Sequence, residues 1–478
     1  MGLVLYIIFF IISAVFTFYI IFKRNESFPA AKKRLTYVNG TITVIAALLY
    51  SIFSKHENDL APEFVRTLAI LAVTSICIMI LGVFIKEASI GERLPTEKQE
   101  KGNVKVFLTL FGVAIASRVI IYFIGYLYSV QAFDLNSGFL KSFDSLWNKW
   151  DSIHYLNLAQ NGYASSGENA KLIVFYPLYS LLVGAIAKIL GNSMLAGVVV
   201  SDLCLAIGCY YMYKLVQLDF DRDTALRSVK YMLIYPLSFF FGIAYTESIF
   251  VALSLMALYY MRKNKWLAVG ICGFLAALTK NQGIILVIPA AMEYVLSNQA
   301  FEKLRKKNYA TLIKDFFTRG IFVFLIPLGT FVYFLINKIL FGSWNAFIEY
   351  QKKYFGNSFG NVFENLKGIT KSAISPDDQF RLTYWIPCII SFLLVVFLIF
   401  YSIQKLRLSY SAYMLIFMLV SFSPAWLLSG SRYILSLVPI YIGLSVITKR
   451  KELDIVLTFT STMLLGFYTL AFLMGRVL

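Results

Sequence analysis

A chain of 478 residues is long enough for two or three soluble domains, but 59% hydrophobic and 15% charged residues argue against that organisation. With 43 Phe, 31 Tyr, 6 Trp and a mean hydropathy of +0.71, apolar surface runs along nearly the whole chain and exceeds what one soluble core buries. The net charge of +18 sits in short basic clusters between apolar runs, a pattern that reports orientation in a bilayer rather than nucleic-acid binding.

Read in chain order, apolar stretches of spanning length fall at 3–22, 38–53, 64–85, 106–128, 194–213, 226–242, 245–261, 266–281, 283–297, 319–340, 384–403, 410–428, 432–447 and 453–474. The expected fold is an all-α, polytopic integral membrane bundle of about fourteen transmembrane helices. A cleavable signal peptide is not expected, because Gly2 to Phe22 lacks a basic leader. The five cysteines lie in apolar segments without metal-ligand or disulfide spacing.

Residues 1–102 read as a three-helix accessory membrane module, closed by a charged linker from Lys86 to Lys105. Residues 103–300 read as the main core and 301–478 as the C-terminal membrane helices. The segment 171–190 is apolar enough to be a further span, but charge argues against it. If it lies along the surface, linkers holding 28 of the 44 Lys and Arg share one side, which is then cytoplasmic. Two long connections, 129–193 and 341–383, then face outward, where binding and chemistry are usually carried.

The first long connection contains Trp147, Trp150, Asp151, His154 and Tyr155. At helical spacings of three and four these share one face and aim a carboxylate and an imidazole at one point. A Trp-rich surface helix with solvated charges fits the same spacing. Phe175-Tyr176-Pro177-Leu178-Tyr179 follows, offering stacking surfaces of the kind sugars or headgroups use, although interface anchoring explains it nearly as well.

Glu247, in Tyr245-Thr246-Glu247-Ser248, is a site candidate because a carboxylate beside long apolar runs is costly without a cation or polar cavity. Helix capping by Thr246, with Glu247 in the first turn, is the structural alternative. Lys280 and Arg432, the latter beside Tyr433, occupy equivalent outward turns and could hold a phosphate or snorkel to headgroups. Arg118 and Asp202 lie deeper, where they could pair with each other or with Glu247.

The order of motifs resembles the polytopic glycosyltransferases of the GT-C class, and within it the GPI mannosyltransferase II (PIG-V) type with its bacterial and archaeal-like relatives. The resemblance rests on Trp150-Asp151-Ser152-Ile153-His154-Tyr155, Gly162-Tyr163, Phe175-Tyr176-Pro177-Leu178-Tyr179, Tyr235-Pro236 and Tyr245-Thr246-Glu247-Ser248. It covers residues 103–300 well and the rest loosely. Two departures stand out: Thr279-Lys280-Asn281-Gln282-Gly283 stands where relatives more often carry Arg followed by Pro, and residues 1–102 have no counterpart in the family core.

The resemblance implies a polyprenyl-phosphate-linked sugar donor, usually mannose, and transfer on the non-cytoplasmic face of the cell membrane. It implies an essential acidic residue in the first long outer loop, here Asp151, and a membrane-parallel helix after that loop. The expected activity is inverting transfer of a hexose, mannose by resemblance, to an extracytoplasmic acceptor that the sequence does not identify. Because a lipid phosphate leaves as a stable anion, one carboxylate suffices as base on the acceptor hydroxyl.

The expected catalytic residues are Asp151, His154 and Glu247; the expected substrate-binding residues are Trp150, Tyr155, Tyr176, Tyr179, Tyr245, Lys280, Arg432, Tyr433 and Arg118. The sequence identifies no cofactor, and Asp151, Glu247 and phosphate oxygens could together hold a divalent metal. A transporter or flippase for a lipid-linked sugar is the alternative, but most candidates sit at helix ends and no internal repeat is visible.

Overall fold

The computed structural model describes residues 2–23, 27–53, 61–90, 104–133, 139–425 and 429–477. These residues are almost entirely helical, with one isolated antiparallel bridge between Phe359 and Pro424. Hydrocarbon explains the choice: a spanning segment must satisfy its backbone internally, and a helix does so.

Six described helical segments are long and apolar enough to cross a membrane: 70–90, 104–131, 193–217, 320–341, 381–405 and 451–473. They make the chain a multi-pass membrane protein, but the expected count of fourteen is not confirmed. Several expected spans are interrupted by proline and polar turns. The helix Arg222–Ile234 stops before Tyr235-Pro236, and 432–447 splits into Gly430–Leu435 and Pro439–Ile447 at Pro439. The expected span 266–281 is the shorter helix Trp266–Ala277, and 283–297 begins as a 3-10 turn, Asn281–Leu286. Of the expected span 410–428, Leu408–Ser421 is helical and 426–428 lie outside the described residues. The charged linker likewise lies largely outside them, over 91–103.

The segment after the first long loop bends sharply. Glu168–Val174 and Pro177–Leu190 meet at 118°, the geometry of a broken span or a re-entrant loop. Pro177 sits in the first helical turn, where its missing N–H costs nothing.

The N-terminal helices Gly2–Phe22, Phe28–Phe53 and Ala61–Ile90 pack on one another and lean on Ile386–Lys405 and Leu408–Ser421. Lys32 and Glu87 tie two of them together at 2.8 Å. The second long connection folds into Ala346–Phe355 and Val362–Ile374.

Between the helices Arg222–Ile234 and Glu247–Arg262 the chain is not α-helical. Residues 235–246 form an almost wholly buried stretch, irregular apart from the 3-10 turn Ser238–Phe241, in which Phe239, Phe240, Phe241, Ile243 and Ala244 have no exposed surface. Buried irregular backbone must find hydrogen-bond partners, and polar side chains from neighbouring helices supply them. Arg118 donates to the carbonyls of Ser238 and Leu233, the latter at 3.0 Å. Tyr122 donates to Gly242 O and to Asp202 Oδ1 (2.9 Å for the latter). Ser201 donates to Ile243 O at 2.7 Å, and Ser248 Oγ to Phe241 O at 2.5 Å. Glycine is required at 242, because a Cβ there would stand 2.7 Å from Tyr122 Oη and 2.9 Å from Arg118 Cδ.

Arg118→Met removes the side-chain donor to Ser238 O, whereas Leu233 O keeps the Ser238 hydroxyl at 2.6 Å, so the variant should destabilise the protein by about 1–3 kcal/mol. Thermal unfolding in detergent measures this, and Arg118→Lys should recover part of the loss.

Candidate active site

Four charged side chains from four separated stretches meet at one end of the bundle. Arg432 Nη2 donates to Asp151 Oδ2 at 2.7 Å, and its Nε lies 3.4 Å from Glu247 Oε1. Lys280 Nζ donates to the same Glu247 oxygen at 2.7 Å. Glu247 is fully buried, Arg432 and Lys280 are nearly so, and Asp151 keeps 29% of its side chain exposed. Two carboxylates and two cations balance, which is how a site this buried tolerates charge. Even so, Glu247 Oε2 is buried without any hydrogen-bond partner.

Each charge is aimed by a break in the helices. The helix ending at Trp147 and the helix Asp151–Asn161 are separate, so Trp147 does not share a helical face with Asp151 as the spacing suggests. Trp147 is instead fully buried, stacked on Phe472 at 6.0 Å. At the junction Trp150 adopts φ 56°, a conformation uncommon for a bulky residue. Asp151 thereby begins its helix, with its carboxylate at the positive end of the helix dipole.

Glu247 likewise begins the helix Glu247–Arg262. Thr246 makes no capping bond, so capping does not explain the motif. Lys280 precedes the 3-10 turn Asn281–Leu286, folded back so closely that a Cβ on Gly283 would meet Ala276 backbone at 2.4 Å. Arg432 lies in the short helix Gly430–Leu435.

Aromatic faces line the cations. The Arg432 guanidinium lies 5.5 Å from the Phe240 ring centre, 5.2 Å from Tyr245 and 5.8 Å from Tyr433. Lys280 Nζ lies 6.0 Å from the rings of Tyr433 and Phe250. Such faces stabilise cations and exclude water without competing for their N–H groups.

Other expected site residues are placed differently. Tyr155 packs edge-on against Phe175 and Tyr179 at 5.0 and 5.5 Å, Tyr179 donates to Gly197 O at 2.9 Å, and Tyr176 stacks on Tyr333 at 3.9 Å. All three are buried, so their rings form the wall behind the site. Arg118 is not brought into the cluster; its guanidinium is committed to the backbone carbonyls of Leu233 and Ser238.

His154 is three residues from Asp151 and lies between the Phe175 and Phe355 rings at 5.0 and 5.9 Å. Burial there holds its imidazole below the ordinary histidine value, Asp151 pulls it upward and Lys171 pushes it down again. The unfolded chain therefore takes up a proton first as pH falls. Any stability penalty from this group is absent above about pH 6.5 and grows as pH drops below it. His154→Gln should flatten that acid-side decline in a plot of unfolding temperature against pH.

Two openings flank the cluster. A pocket of about 70 Å³ is lined by Asn281, Gln282, Gln351, Asn357, Pro424 and Tyr433, so amides from the second long connection face the Lys280 turn. On the Asp151 side, Trp150, which is 40% exposed, lines a wider opening of about 620 Å³ with Lys149, Asn148 and Arg476. Asn281 and Gln282 adjoin a motif already singled out. Gln351 and Asn357 carry no signal in the sequence, because only the fold brings the second connection here.

Both carboxylates already face cations, and among the described residues no group of three or more His, Cys, Asp or Glu is placed to hold a metal.

Residues 176–327 match the dolichyl-phosphate-mannose-protein mannosyltransferase family model. The resemblance seen in the order of motifs is thus shown independently. The matched stretch contains Glu247 and Lys280, while Asp151 and Arg432 lie outside it. GPI mannosyltransferase 2 of Schizosaccharomyces pombe is 27% identical over 146 residues, which is 30% of this chain and 31% of that protein. The match therefore spans about a third of the curated relative. Among solved structures, the oligosaccharyltransferase AglB of Archaeoglobus fulgidus, in complex with an inhibitory peptide and a dolichol-phosphate, has a TM-score of 0.36. Its sequence identity is 12%, over 76% of this chain and 56% of that one. At family level, the chain is similar to mannosyltransferases of the membrane that use lipid-linked donors.

Proposed function

We propose that the protein is an inverting glycosyltransferase that moves a hexose, mannose by family likeness, from a polyprenyl-phosphate-linked donor to an extracytoplasmic acceptor at the cell membrane. The observation that carries this reading is the meeting of Asp151, Glu247, Lys280 and Arg432 in one neutral, aromatic-walled cluster beside two openings.

The chemistry follows from these groups. The acceptor hydroxyl attacks the anomeric carbon from the side opposite the phosphate, and its proton passes to Asp151. Asp151 holds Arg432 through Oδ2 alone, which leaves Oδ1 for that hydroxyl. The bond between the anomeric carbon and the phosphate oxygen breaks with its electron pair, turning a phosphodiester monoanion into a monoester dianion. Lys280 and Arg432 meet the added charge. An incoming phosphate competes with Asp151 for Arg432, so donor binding releases the carboxylate for its role as base.

Glu247 acts by position, holding both cations from a site with no solvent. A hydrolase would require two carboxyl groups flanking the scissile bond, whereas here both face the same guanidinium. His154 lies one helical turn from Asp151 and faces the Phe355 side of the cleft, where it would contact the sugar.

The test is incubation of purified protein with defined polyprenyl-phosphate hexoses and a panel of acceptors, followed by mass spectrometry. Consumption of the mannose donor with a glycosylated product is expected. Donor that crosses proteoliposomes chemically unchanged would identify a flippase instead.

A further inference from the structure

The pocket of about 70 Å³ beside Lys280 is lined by uncharged side chains throughout. Asn281, Gln282 and Gln351 bring amides to it, and Phe347, Phe359 and Tyr433 bring aromatic rings. Gln282 is only 4% exposed, and among the described residues neither its amide nor those of Asn281 and Gln351 has a hydrogen-bond partner. A nearly buried amide left unpaired within the protein is costly, so a pocket that keeps one suits a ligand that supplies the partner.

The pocket is continuous with the charged cluster. Asn281 and Gln282 follow directly on Lys280, and Tyr433 follows Arg432. Lys280 Nζ and the Arg432 guanidinium lie 6.0 and 5.8 Å from the Tyr433 ring centre, so one ring borders both the cations and the pocket. The opposite side comes from the second long connection, which is held firmly in place. Phe347 N donates to Asn337 Oδ1 at 2.7 Å, and Ala425 N to Ser358 O at 2.8 Å. The Asn365 amide donates to the carbonyls of Phe422, Ser423 and Pro424 at 3.0, 3.1 and 2.7 Å. Groups fixed in this way lose little freedom when a ligand binds.

We propose that this pocket receives the hexose of the lipid-linked donor, with Gln282 and Gln351 hydrogen-bonding its hydroxyls, and that it selects neutral hexoses over charged ones. This rests on the glycosyltransferase reading above. A hexose whose phosphate lies at Lys280 and Arg432 has its ring beside the Tyr433 face. Amides both donate and accept, as hydroxyls require, and aromatic faces cover the C–H surface of a sugar. No lining side chain can pair with a carboxylate or an ammonium, so a uronic acid or a cationic amino sugar would enter at the full cost of desolvation. At roughly 15 Å³ for each water the space holds about five, which matches the hydroxyls of one hexose and leaves no room for a second sugar.

Gln282→Leu and Gln351→Leu should each lower kcat/KM for a polyprenyl phosphate mannose about tenfold. In the wild-type protein, one monodeoxy mannose donor should lose about as much. The same analogue should lose nothing further in the variant that lacks its partner. Additive losses for every deoxy donor overturn the proposal, as does a matching loss with deoxy acceptors instead. Transfer of a glucuronosyl donor as fast as mannose overturns the selection of neutral hexoses. Should Gln282→Leu unfold, the half-buried Gln351 supports the same cycle through Gln351→Leu. For a protein that transfers nothing, the readout is the Kd of polyprenyl phosphate mannose and of bare polyprenyl phosphate. A preference of about tenfold for the mannosylated lipid, lost in Gln351→Leu, would retain the hexose pocket and refute the transferase reading. Equal binding of the two lipids overturns the pocket, so the two failures are distinguishable.

Discussion

Asp151→Asn should lower turnover by about 10²–10⁴-fold, the range lost when a general base is removed. Donor affinity should change only within a few fold, because Arg432 and Lys280 remain and Arg432 keeps Glu247 beside it. Stability should fall, by less than the about 3–5 kcal/mol of breaking a fully buried pair, because Asp151 is 29% exposed while Arg432, at 8%, keeps Glu247. Steady-state kinetics with donor titration, set beside thermal unfolding, separates the three quantities. Unchanged turnover would remove Asp151 from the reaction, and a large stability loss would make its role architectural.

Lys280→Met should act on both folding and function. Glu247 has no exposed surface and one oxygen already without a partner, so loss of the ammonium removes its hydrogen bond and leaves two carboxylates to share Arg432, whose Nε lies 3.4 Å from it. Breaking a buried pair by removing one member costs about 3–5 kcal/mol. Adding Glu247→Gln should return much of that stability by removing the excess charge. It should not return activity, because the phosphate has still lost a charge-assisted contact worth about 1.5–3 kcal/mol, or roughly 10- to 100-fold in donor affinity. Recovery of both together would mean that the pair serves only the fold.

The charged members of the cluster are legible in the sequence for an energetic reason. An ionisable group beside a long apolar run must be compensated, and Asp151, Glu247, Lys280 and Arg432 each stand out by that rule. Arg118 stands out by the same rule, yet its partners are backbone carbonyls of a buried loop and of the helix end before it, and a need of that kind leaves no pattern in the sequence. The loop itself is hidden because Phe239, Phe240 and Phe241 continue the hydropathy of the preceding helix, and apolar composition does not separate buried irregular backbone from a span. The same ambiguity leaves the expected count of fourteen spans unconfirmed among the described residues. Tyr155, Tyr176 and Tyr179 look like stacking surfaces in a motif, but neighbouring helices close over them.

A cryo-electron microscopy structure of the protein with a non-transferable polyprenyl-phosphate mannose analogue tests the central claim most directly. The phosphate should lie within hydrogen-bond distance of Lys280 and Arg432, with Arg432 drawn away from Asp151 Oδ2 and the anomeric carbon facing the opening beside Trp150. A phosphate bound elsewhere, with the Arg432 to Asp151 bond still 2.7 Å, would contradict it.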